Sequence, residues 1–75
     1  MDINDFISSF CDQFEDTDPA MITKETVFHE LDEWDSLVAL AVLNMSEKKY
    51  GKCITFEEMR KCKTIEDLFN TVKEK

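Results

Sequence analysis

The chain has 75 residues, 43% of them apolar with six Phe, and a formal net charge of −8. That describes one domain near the lower size limit for an unstapled core, too apolar for a disordered tail and too acidic for direct nucleic-acid binding. One Gly and one Pro argue against a turn-rich all-β chain, no apolar run is long enough to span a bilayer, and the default expectation is a soluble cytoplasmic monomer.

Ile3, Phe6, Ile7, Phe10, Cys11 and Phe14 recur at the spacing of one helix face, which predicts a first helix over about residues 3–15. Asp2 and Asp5 sit where a helix start favours negative charge. Glu15 to Pro19 breaks the pattern, because the residue before a proline is disfavoured in helix. A calcium loop of the EF-hand type needs a central Gly and a Glu at its twelfth position; with no Gly here, a solvated turn is expected. Residues 16–34 then form a long connection, with Met21, Ile22, Val27, Phe28 and Leu31 available to pin it down.

Asp35-Ser36-Leu37 opens the second predicted helix, over 36–50. Asp and Ser both serve as N-caps, accepting first-turn amides. Seven apolar residues follow from Leu37 to Leu43, and Gly51 stands where helices commonly stop. Ala39, Val42, Leu43, Ser46 and Tyr50 form the expected core-facing stripe. Leu37, Leu40, Ala41 and Asn44 fall on a more exposed side, which suggests contact with a partner. Thr55 and Glu58 form a capping box for a short helix over 56–61. Thr64 and Asp67 open a last helix over 65–73, with Ile65, Leu68, Phe69 and Val72 on its apolar face. The expected architecture is an all-α, single-domain four-helix bundle spanning residues 1–75, its third helix short.

Cys11, Cys53 and Cys62 form no CxxC pair, so neither a disulfide framework nor a zinc site is indicated, and core thiols are expected. His29 lacks a Cys or Ser partner in sequence and reads as a surface or loop residue. Charge is uneven: residues 1–35 hold eleven Asp/Glu and one Lys, whereas residues 36–75 hold six Asp/Glu and eight Lys/Arg. The acidic part could dock on basic patches of partners.

The Phe/Ile stripe, the long acidic connection, Asp35-Ser36-Leu37, the Leu-rich second helix, Tyr50-Gly51, Ile54 and Thr64-Ile65-Glu66-Asp67-Leu68 come in the order found in acyl carrier proteins. The chain resembles that family over nearly its whole length. The resemblance implies a covalent 4′-phosphopantetheine on Ser36, attached through a phosphodiester by a magnesium-dependent phosphopantetheinyl transferase that uses coenzyme A. It implies thioester-bound acyl or aminoacyl cargo for fatty-acid, polyketide or related biosynthesis, exchanged with acyl-loading and acyl-processing enzymes, and no catalytic activity or resident metal of its own. Asp35 is then the recognition carboxylate, Leu37 the apolar plug, and Leu40 and Ala41 further partner contacts. A cleft walled by some of Leu37 to Leu43 would shelter a short acyl chain.

Two departures stand out. Glu33-Trp34 occupies the place where family members often carry a Gly or small residue, and Trp34 could either staple the helix start to the core or touch the arm. The second helix has Val38 and Ala41 early and Lys48 and Lys49 late, where fatty-acid carriers are acidic. That points toward a specialised carrier of the polyketide, amino-acid-loading or glycan-acylating kind. The alternative reading is a non-catalytic helical interaction module in which Ser36 is only a helix cap.

Overall fold

A computed structural model describes residues 2–75 and is all-helical. Among the described residues there are four α-helices, α1 Ile3–Cys11, α2 Ser36–Tyr50, α3 Phe56–Lys61 and α4 Ile65–Lys73, and no strand. Single 3₁₀ turns at Pro19–Met21 and Phe28–Glu30 punctuate the long connection. α1 packs on α2 and α4, and α2 packs on α3.

Each helix start is chosen by a short polar side chain. The Asp2 carboxylate accepts the Asn4 amide at 3.1 Å, and Thr55 and Thr64 each complete a reciprocal box with Glu58 and Asp67. The aromatic face of α1 supplies the centre of the core. Phe6 and Phe10 are fully buried, together with Phe28, Val42, Ile65, Leu68 and Val72. Phe6 meets Phe69 of α4 edge-on at 5.6 Å, a favoured aromatic geometry.

α1 stops four residues short of the expected end. The Gln13 amide bonds the Phe10 carbonyl and the Phe14 amide bonds the Cys11 carbonyl, tightening the chain into a 3₁₀-type turn. The next amides, of Glu15 and Asp16, are taken by the Glu33 carboxylate instead of by helical carbonyls. Phe14 still reaches the core, so the apolar stripe outlasts the helix. Two further expectations fail. Met21 does not pin the connection, being 76% exposed, and Cys53 is an exposed thiol in the α2–α3 loop, whereas Cys11 and Cys62 are buried. Ile22 and Phe28 do the pinning.

α2 buries Ala39, Val42, Met45 and Ser46, with Leu43 and Tyr50 only partly covered against the core. Its buried Ser46 hydroxyl donates to the Lys52 carbonyl at 2.9 Å, tying the helix to the loop beyond it. The C-terminal half is clamped to α1. Lys49 bonds Ser9 and pairs with Asp5 at 3.5 Å, and the Tyr50 hydroxyl donates to Asp5 at 2.9 Å. Those contacts, the Tyr50 hydroxyl first, hold the Asp5 carboxyl below its ordinary range.

Gly51 ends α2 at φ 68° and ψ 25°, a left-handed conformation that L side chains avoid. A Cβ there would meet nothing within 4 Å, so backbone strain alone sets the penalty. Gly51→Ala is expected to cost about 1 kcal/mol, read as a lower urea midpoint at unchanged slope.

Candidate functional site

The sequence singles out the start of α2, and the structure shows how that start is held. Trp34, partly buried, lies against the aromatic core, with ring centroids 4.9 Å from Phe28, 6.1 Å from Phe10 and 6.4 Å from Phe14. Of the two roles open to it, the staple to the core is the one seen. One residue earlier, the Glu33 carboxylate accepts the amides of Glu15 at 3.0 Å and Asp16 at 2.8 Å and the Thr17 hydroxyl at 2.7 Å. The connection is therefore stitched to the residues just before α2.

Those three donors, the Thr17 hydroxyl foremost, hold the Glu33 carboxyl below its ordinary value. The unfolded chain then binds the proton first as pH falls, so this contribution to stability is present above the ordinary glutamate range and is lost as pH drops through the lowered folded value. Glu33→Gln should have a lower Tm than wild type at pH 7. The gap should shrink on acidification below about pH 4, as thermal unfolding at both pH values would report.

Asp35 is the N-cap of α2. Its backbone is extended, its carboxylate accepts the Val38 amide at 2.8 Å, and its carbonyl accepts the Ala39 amide at 2.9 Å. This corrects the notion of Ser36 as a cap. Ser36 is the first helical residue, it is exposed, and capping leaves its hydroxyl free. The Ser36 and Leu37 amides have no hydrogen-bond partner among the described residues. They face outward at the positive end of the helix dipole, a setting that suits an anion next to the Ser36 oxygen.

Around this start the expected contact residues lie outward to different degrees. Leu37 is 77% exposed and Leu40 45% exposed, while Ala41 is partly buried. On the α3 side, His29, Trp34, Ala39, Phe56, Met59 and Arg60 line an open cleft of about 220 Å³. Of the run Leu37 to Leu43 only Ala39 reaches its wall; Phe56, Met59 and Arg60 come from α3, whose place there no local pattern announces.

His29 and the two buried cysteines have contacts of their own, and Cys53 is an exposed free thiol. A ring nitrogen of His29, Nε2, lies 3.0 Å from the Cys62 carbonyl. The Cys62 Sγ contacts the Glu58 carbonyl and the Thr71 hydroxyl, and burial pushes the Cys11 thiol up. Among the described residues no group of three His, Cys, Asp or Glu could hold a metal ion, and no helix is long and apolar enough to cross a membrane. No family model, no curated protein and no solved structure matches the chain.

Proposed function

We propose that this chain is a carrier protein with the acyl-carrier fold, bearing a 4′-phosphopantetheine on Ser36 and presenting acyl or aminoacyl groups to separate enzymes. The observation that carries the reading is the division of labour at the start of α2: Asp35 caps, and the neighbouring Ser36 hydroxyl is free and exposed. The amides of Ser36 and Leu37 suit a phosphodiester at that oxygen. When bound, the group supplies a thiol on a long tether, which raises the local concentration of cargo at each partner's active site.

The chain's own residues have distinct roles in this reading. Ser36 Oγ would hold the group: in the transferase it would form the phosphodiester as the pyrophosphate bond of coenzyme A breaks, with adenosine 3′,5′-bisphosphate leaving and the hydroxyl proton released. Asp35 is the carboxylate the transferase recognises, and Leu37, with Leu40 and Ala41 behind it, is the apolar contact for partner enzymes. The lysines late in α2 favour partners other than those of an acidic fatty-acid carrier, such as polyketide, amino-acid-loading or glycan-acylating enzymes.

Intact mass after incubation with coenzyme A, magnesium and a broad-specificity phosphopantetheinyl transferase tests the reading. Wild type is expected to gain one phosphopantetheine and Ser36→Ala none. A folded wild type that gains nothing beside a control carrier that does would sink it. The exposed Leu37 and Leu40 support the second reading, an interaction module with an unmodified Ser36, which that outcome would favour.

A further inference from the structure

α2 is apolar on two sides. Ala39, Val42 and Met45 face the core, yet Leu37 and Leu40 stand exposed on the far side. Leu37, Leu40, Ala41, Asn44 and Lys48 recur at i, i+3, i+4, i+7 and i+11, so they form one strip along the outer face. Charge along the strip is polarised. Asp32 and Asp35 stand exposed at its N-terminal end. Lys48 stands exposed at its C-terminal end and is in no ion pair among the described residues. Glu47 lies on the edge of the strip opposite Ala41, away from its centre. A strip that is acidic at one end, apolar in the middle and basic at the other is complementary to itself when turned end over end.

We propose that the outer face of α2 docks on α2 of a second copy of this chain, antiparallel about a two-fold axis. Centred between residues 40 and 41, this register sets Leu40 against Ala41 and Leu37 against Asn44 of the second copy. Asp32 and Asp35 then lie beside Lys48 of the second copy. Helical rise of ~1.5 Å per residue separates Asp35 from Lys48 by roughly 20 Å, so both charged ends meet together. Parallel pairing would bring like charges together. One face of a 15-residue helix with two exposed leucines buries less than the roughly 1,200 Å² of a standard interface, so the dimer is weak and reversible. Dimerisation covers Leu37, which makes it exclusive with any partner that uses the same residue. The proposal does not depend on the carrier reading.

Sedimentation equilibrium of the full chain from about 10 μM to about 1 mM, in low and high salt, tests it. The average mass is expected to rise from monomer toward dimer with concentration, and less steeply in high salt. Leu37→Asp should weaken association at least tenfold at unchanged helical content. Lys48→Asp alone and the double variant Asp32→Lys/Asp35→Asn alone should each stay monomeric, because each opposes like charges at both ends, Asn at 35 keeping the helix cap. An equimolar mixture of those two variants should associate as wild type does, since both ends are again complementary. A monomeric wild type at the highest concentration, association indifferent to Leu37→Asp, or a mixture that fails to recover would each overturn the proposal.

Discussion

Phe10→Ala is expected to destabilise the chain far more than truncation of an exposed ring. Phe10 has no exposed surface, and its ring meets Phe14 at 5.2 Å, Phe28 at 6.0 Å and Trp34 at 6.1 Å. Truncating a buried Phe to Ala costs about 3–5 kcal/mol, lost transfer energy plus the cavity left behind. A domain of 75 residues has a total stability of roughly 4–11 kcal/mol, so this one substitution removes about a quarter of it or more. The damage should extend to the candidate site, because Phe10 and Phe28 together seat Trp34 two residues before Ser36. Urea denaturation should show a midpoint lower by about a quarter or more, and the near-ultraviolet signal of the single tryptophan should weaken as its seat on Phe10 is lost. Phe56→Ala is the control. That ring is 45% exposed at the cleft, and its loss should cost about 1 kcal/mol. Equal costs for the two substitutions would mean that the aromatic cluster is not the centre of stability.

Ser36→Ala and Asp35→Ala are expected to separate function from folding at adjacent positions. In the carrier reading Ser36→Ala abolishes attachment of phosphopantetheine completely, since no other oxygen occupies that place. Its stability should stay within about 0.5 kcal/mol of wild type, because the hydroxyl is exposed and caps nothing. Asp35→Ala removes the acceptor of the Val38 amide and should cost about 1 kcal/mol. It should also slow modification without abolishing it, because the acceptor oxygen is still present. Urea midpoints and intact masses of both variants provide the check. A larger stability loss for Ser36→Ala than for Asp35→Ala would reverse the assignment of cap and free hydroxyl.

The expected all-α class is observed, and the reason is that its signals are short in range. The caps at Thr55 and Thr64 act across three residues, and the apolar faces of α1 and α4 repeat within single helices. The Asp35-Ser36 pair was ambiguous for the same reason. Both side chains are competent caps, and only the extended backbone at Asp35 assigns the role to it. Leu37 and Leu40 were legible as the outer side of α2 because the core-facing stripe takes the opposite positions. The clamp by Glu33 was not legible, since it joins residues up to 18 apart through a turn with no distinctive pattern.

Sequence alone thus determined the helical class and the general placement of each helix, because periodicity and capping are written in neighbouring residues. The resemblance to a carrier protein came from the order of those same local features. Only the tertiary structure decided where α1 ends, since the competing acceptor for its following amides is Glu33, far along the chain. It alone separated Cys53 from the buried thiols, exposed Met21, and brought Phe56 and Arg60 beside Trp34. In each case the outcome depends on which distant segment arrives to cover a group or accept its hydrogen bond, and no local pattern encodes that arrival.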